Sequence, residues 1–284
     1  MTSRSVAVAL LLTAVSLMVP ASPAAAGGPA TITVEGFRFV VPPPGHGVYV
    51  AALMAKGGGR SASVRTLRDG AVVVRGETIR AAQIPGTGVD ACADSNYALN
   101  ASKWEGSLPW SFRVRSAPKG LSRKRVTRAL RRAAGNIAAS RTDCGLPDQI
   151  DATQGYSGRT VAVPNIGSTS NCLRADGKSV VAFGAIDPRD LALTCWWTMN
   201  GNTVEADMML NAANYSWTTN VGSACQKRWM IESVATHEFG HAFGLDHVSP
   251  VLDANQTMSP LILPCQNSQA TLGRGDIMGL RAKY

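Results

Sequence analysis

The chain has 284 residues, 45% of them hydrophobic, and carries a formal net charge of +9. This is enough apolar material for a medium-sized folded domain with smaller attachments, and it excludes an intrinsically disordered chain. The positive charge invites a nucleic-acid partner, but Arg123, Lys124, Arg125, Arg128, Arg131 and Arg132 fall in one segment where Val126, Leu130, Ala133 and Ile137 recur at helical spacing. The cations then lie largely on the opposite face, with no aromatics interleaved for stacking bases, so a solvated helix face and no nucleic-acid partner are expected.

Residues 1–26 read as an export signal: Arg4 supplies charge, the run from 6 to 19 is almost wholly apolar, and Ala24, Ala25 and Ala26 give a small-residue cleavage pattern. No later stretch approaches the roughly 20 apolar residues of a membrane span. A secreted, extracellular protein without stable membrane insertion is therefore expected; the sequence leaves its oligomeric state open, with a monomer favoured. Residues 27–95 form a small β-rich region, a pro-segment or accessory module, with short runs at 31–34, 37–41, 48–52 and 71–74 separated by Pro42-Pro43-Pro44-Gly45 and Gly57-Gly58-Gly59.

Residues 96–284 carry the rest. A strand is expected at 110–114, then the basic helix to about Ser140 with Ser122 as its cap. Strands at 179–183 and 204–210 follow, then a helix over 227–243 stopped by Gly244, and a final helix over 276–283 with Asp276 complementing its dipole. The order predicts a mixed α/β (α+β) domain with a twisted sheet. Six cysteines, none in a CxxC pair, predict three disulfides in an oxidising compartment. The favoured pairings are Cys225 with Cys265, Cys144 with Cys172, and Cys92 with Cys195.

The chemistry sits in His237-Glu238-Phe239-Gly240-His241-Ala242-Phe243-Gly244-Leu245-Asp246-His247. Residues four apart share a helix face, so His237 and His241 can present two imidazoles to one metal. Gly244 lets the backbone reverse and bring His247 round as a third nitrogen, leaving the fourth tetrahedral position of one catalytic Zn2+ for water. Glu238, about 100° further round the helix, reaches that water as the catalytic base. Such a site hydrolyses peptide bonds. Two alternatives are a non-catalytic zinc-containing binding protein and a zinc amidase acting on a cell-wall-type amide.

This segment resembles the extended zinc-binding motif of the metzincin clan of metallopeptidases. Thr257-Met258-Ser259-Pro260 is similar to the methionine turn of that clan, and its Met-x-Pro form with Met258 and Pro260 is most like the matrixin branch. The resemblance implies a metzincin-like catalytic domain, with a mostly parallel sheet, that cleaves internal bonds of a protein or peptide substrate. It further implies that Ala206, Asp207, Met208, Met209 and Leu210 lie on the edge strand against which substrate aligns, and that Ca2+ is a candidate second ion, for which Asp176, Asp187 and Asp190 offer oxygen ligands. Many matrixins hold zinc with a pro-segment cysteine. Cys92 is the candidate by location, but it lacks the Pro-Arg-Cys-Gly context, and withdrawing it would strand an odd thiol, so it is expected in a disulfide.

Overall fold

The computed structural model describes residues 17–19, 29–80, 88–148, 150–222 and 225–284. The expected export signal lies outside the described residues but for Leu17–Val19, whose backbone pairs antiparallel with Val72–Val74.

The chain opens with a hairpin of β1 (Thr31–Val34) and β2 (Phe37–Val40), followed by an antiparallel meander of β3 (His46–Met54), β4 (Gly59–Thr66) and β5 (Val72–Ile79). Then come β6 (Ser107–Phe112), α1 (Arg123–Ala138), β7 (Thr153–Arg159), β8 (Val180–Gly184), β9 (Asp190–Met199), β10 (Asn202–Asn211), α2 (Ile231–Ala242) and α3 (Arg274–Lys283). The main sheet runs β5-β4-β3-β9-β10-β8-β6-β7. β7, β6, β8 and β10 are parallel neighbours, whereas β9 is antiparallel to β10. The mixed α/β class and the mostly parallel sheet are thus present from β6 to β10. The meander extends that sheet antiparallel through β3, which pairs with the far side of β9.

Helices cover one face. α1 buries Val126, Leu130 and Ile137, each contributing about 1.5–3 kcal/mol by area removed from water, and turns its arginines outward. Its Ser122 makes no side-chain cap, and the Ser122 carbonyl accepts from Val126 N–H at 3.0 Å instead. Trp110 of β6 meets Phe239 of α2 edge-on with ring centroids 5.2 Å apart, fixing the depth of α2 against the sheet. The other face, with Val50, Val64, Leu193, Trp197 and Met209, is covered by Phe37 and Phe39 of the first hairpin.

Several expectations need correction. α2 starts at Ile231 rather than 227, because Gln226 (φ 44°) and Lys227 (φ 58°) are left-handed and Trp229–Met230 pairs with Trp217–Thr218. Strands β4, β7 and β9 were not anticipated by the pattern of apolar residues. Three disulfides are present, but only Cys225–Cys265 has the expected partners. The other two are Cys92–Cys144 and Cys172–Cys195, because Cys172 lies beneath β3 and β9, and Cys92 lies beside the loop after α1. Cys92 is in a disulfide as expected. Closing loops of 52, 23 and 40 residues removes unfolded-chain entropy. The effect is about 3–4 kcal/mol for each bridge. Non-reducing peptide mapping is expected to return these three linkages and no alkylated thiol; a Cys144–Cys172 peptide would contradict the fold around β9.

Candidate metal centre

α2 carries His237, Glu238 and His241 on consecutive turns, all with no exposed surface. Gly244 (φ +99°) ends the helix with a reversal, and Leu245–Asp246 pairs with Ala98–Leu99, which returns His247 to the other two histidines. The three Nε2 atoms lie 3.1–3.2 Å apart.

The tautomers are set by carbonyls. His237 Nδ1 lies 2.8 Å from Thr257 O, and His241 Nδ1 3.2 Å from Leu245 O. A carbonyl can only accept, so both rings carry their proton on Nδ1 and turn Nε2 lone pairs toward each other. Facing lone pairs at this distance repel and need a cation between them. Zinc–nitrogen bonds of about 2.0–2.1 Å at the tetrahedral angle place neighbouring nitrogens about 3.3–3.4 Å apart, close to the spacing seen. The donor set therefore fits zinc. Among the described residues it is the one group of three His, Cys, Asp or Glu side chains whose ligand atoms converge. Burial pushes His237 down to about 4 and holds His241 and His247 well below the usual histidine range, with neighbouring imidazoles lowering the last two further. Neutral rings are the ligating form.

Glu238 Oε2 accepts from Thr194 Oγ1 of β9 at 2.6 Å, while Oε1 is buried without a partner. Burial pushes this carboxyl up to about 8, against the Thr194 hydrogen bond. Below the centre, Met258 is buried, and a Cβ on Gly240 would lie 2.3 Å from its sulfur. Glycine between the two helical histidines is what lets the Met258 turn seat there. Pro260 follows, its carbonyl accepting from Gly58 N–H at 2.7 Å.

Residues distant in sequence hold this arrangement. Asp276 of α3 accepts from the backbone N–H of Thr257 (2.8 Å), Met258 (3.1 Å) and Gly273 (2.9 Å), although burial raises its pKa to about 6. Asn100 Nδ2 donates to the carbonyls of His241 (3.0 Å) and Leu245 (3.1 Å). Trp196 of β9 lies parallel to the His241 ring and donates from Nε1 to Ser102 Oγ, which bonds Asn100 Oδ1. Thr194, Trp196 and Asn100 carried no motif, and Asp276 had been legible only as a helix-start residue.

One sequence expectation fails here. Ala206, Asp207, Met208, Met209 and Leu210 lie on β10, an interior strand paired on both sides, so they are no substrate edge. The outer strands of the β6–β10 part are β7 and β9, and β9 is the one beside the histidines. Asp207 instead clamps a loop, accepting from Asn165 and Val180 N–H, and burial pushes it up to about 8. The calcium candidates are each engaged by a cation: Asp176 by Lys178, Asp187 by Arg189 and Asp190 by Arg60.

Comparison with known families matches residues 184–284 to the family described as Matrixin. The match spans β9, β10, α2, the histidines, the Met258 turn and α3, and it supports a zinc metallopeptidase family for this part of the chain. No curated protein matches the chain.

Replacing Asp276 by Ala leaves three buried N–H groups without an acceptor, each costing about 1–3 kcal/mol. Chemical denaturation of Asp276→Ala is expected to show a loss of about 3 kcal/mol or more. Wild-type stability in that variant would remove Asp276 from the support of the Met258 turn.

Proposed function

We propose that this chain, matrixin-like over residues 184–284, is a secreted zinc-dependent endopeptidase in which His237, His241 and His247 hold the metal and Glu238 is the catalytic base. The observation that carries this reading is the convergence of three Nε2 atoms beside the buried Glu238 carboxyl, whose Oε1 has no partner. A closed structural site would use four protein ligands. Three disulfides fit an oxidising compartment, and among the described residues no helix is long and apolar enough to cross a membrane.

When bound, zinc polarises the scissile carbonyl and lowers the pKa of water from 15.7 towards about 7. The protein's own groups do the rest. Thr257 O and Leu245 O fix the imidazole tautomers, so that two ligands need not lose a ring proton from Nε2 when metal enters. A cation held by the three histidines would favour the ionised form of Glu238 against its burial. Thr194 holds Glu238 Oε2, leaving Oε1 to take a proton from the attacking water and pass it to the leaving amine. An extended peptide is the substrate class, with the backbone of β9, beside this carboxyl, as the edge it would pair with in place of β3.

Glu238→Gln keeps the shape and removes the proton acceptor. It is expected to retain zinc and to lose about 10²–10⁴ in hydrolysis rate. Compared on a random peptide library with Val50→Pro present in both proteins to loosen β3 from β9, equal activity with and without Glu238→Gln would end this mechanism, whereas a library left uncut by the loosened, zinc-loaded protein would favour the amidase or binding-protein alternatives. His247→Ala, which reduces the ligand set to two nitrogens, is expected to lose stoichiometric zinc in metal analysis. Full zinc retention would exclude His247 as a ligand.

A further inference from the structure

The far edge of β9 is not free. β3 lies antiparallel along it, from His46 opposite Met199 to Met54 opposite Asp190, so the backbone groups that would receive an extended peptide are already paired within the chain. At the metal end β3 turns back: Gly57 (φ +80°) and Gly58 (φ +98°) reverse the chain into β4, and Gly58 N–H donates to Pro260 O. Gly59 lies directly on the metal centre, since a Cβ there would meet His247 Cε1 at 2.4 Å and Nδ1 at 2.6 Å. With this turn in place His247 is 6% exposed and His237, His241 and Glu238 have no exposure.

Two further contacts fasten the hairpin. Arg60, the second residue of β4, makes a buried ion pair with Asp190 at the start of β9, its Nη2 donating to both carboxylate oxygens (2.9 and 2.7 Å). Tyr49 of β3 stacks on Trp196 of β9 with centroids 5.4 Å apart, and the same Trp196 faces His241. The hairpin is an occupant rather than a substrate, because the chain reverses at the metal centre instead of running extended past it. No thiol takes part, as all six cysteines are in disulfides.

We infer that the hairpin β3–β4, residues 46–66, is a built-in inhibitor that fills the peptide-docking edge of β9 and covers the metal centre, holding the full chain latent until it is displaced. This rests on the endopeptidase reading above for its consequence, although the occlusion itself can be measured without turnover. Access to the centre then depends on the pairing of β3 with β9 and on the Arg60–Asp190 latch.

The test uses the zinc-loaded full chain as wild type, as Arg60→Ala and Val50→Pro, which loosen the latch and the ladder, and as the paired change His46→Cys with Met199→Cys, a cross-strand disulfide at opposed positions. Binding of a peptide hydroxamate, hydrogen exchange of amides 46–54, and cleavage of a peptide library are followed on each. Loosening is expected to raise hydroxamate affinity and initial rate at least tenfold with faster exchange in 46–54. The oxidised cross-strand disulfide is expected to lower both below wild type, so the inference stays exposed even where a loosened variant does not fold. Wild type that binds hydroxamate as tightly as the disulfide-locked and loosened forms, with 46–54 protected, would overturn the inference. Hydroxamate access that follows loosening while no form cleaves any peptide would support the occlusion and sink the endopeptidase reading instead.

Discussion

Three imidazole Nε2 atoms lie 3.1–3.2 Å apart, those of His237 and His241 with lone pairs that face and repel each other, and much of the C-terminal half of the chain is arranged to hold them there. Two carbonyls set the tautomers, and each carbonyl is itself fixed. Leu245 O receives Asn100 Nδ2 as well as His241 Nδ1. Thr257 O belongs to a turn whose amides are bound by Asp276. The repulsion is thus carried by hydrogen bonds from α3 and from the segment before β6, elements that touch no metal. Such outer partners orient ligands and raise their basicity.

β9 serves two elements at once. Its Trp196 and Thr194 face the helix side, toward His241 and Glu238, while Leu193, Cys195 and Trp197 pack with the opposite core. Alternation along one strand therefore couples the metal centre to the outer layer formed by the first hairpin. Because β3 and β10 flank β9, the strand is buried from Asp190 to Thr198 with no polar face. An unpaired β9 would expose a long apolar edge, which is a template for unwanted strand addition.

The metal centre was legible because its determinants are local. Histidines at helical spacing, a glycine and a third histidine fix ligand geometry within eleven residues, and the helix and reversal form as that spacing demands. What supports the site was not legible, since Asn100, Trp196 and Asp276 act across more than a hundred residues or between elements with no shared pattern. β9 escaped notice for the reason given by its burial: a strand covered on both faces shows no alternation, and Leu191-Ala192-Leu193-Thr194-Cys195-Trp196-Trp197 reads as an apolar run of undecided type. The resemblance to matrixins puts the edge at residues 206–210, on β10, whereas β9 and β8 flank that strand. Cysteine pairing failed on the same point, because Cys195 could be placed beside Cys172 only once β9 existed.

The division of the chain at residue 95 also looks different with the sheet assembled. Residues 88–100 are stitched to the C-terminal part, with Ala91 O accepting from Arg274, Asp94 O from Gln256, and Cys92 bridged to Cys144. The meander of β3, β4 and β5 joins the same body through the backbone of β9, through Pro260 and His247, and through apolar side chains in the cores on both faces of the sheet. Displacing it uncovers apolar surface on both faces as well as the edge of β9, because β3 adds Tyr49, Ala51 and Leu53 to the core under α1, α2 and α3, and Val50, Ala52, Ala62 and Val64 lie in the opposite core. Backbone pairing along β9 is indifferent to side-chain identity, so the bonds that hold the chain's own strand are those an incoming peptide would make. On the inhibitory reading, the competition is decided by what the hairpin has in addition: the Arg60–Asp190 pair, the Tyr49–Trp196 stack and a glycine at the one position where His247 leaves no room for a side chain.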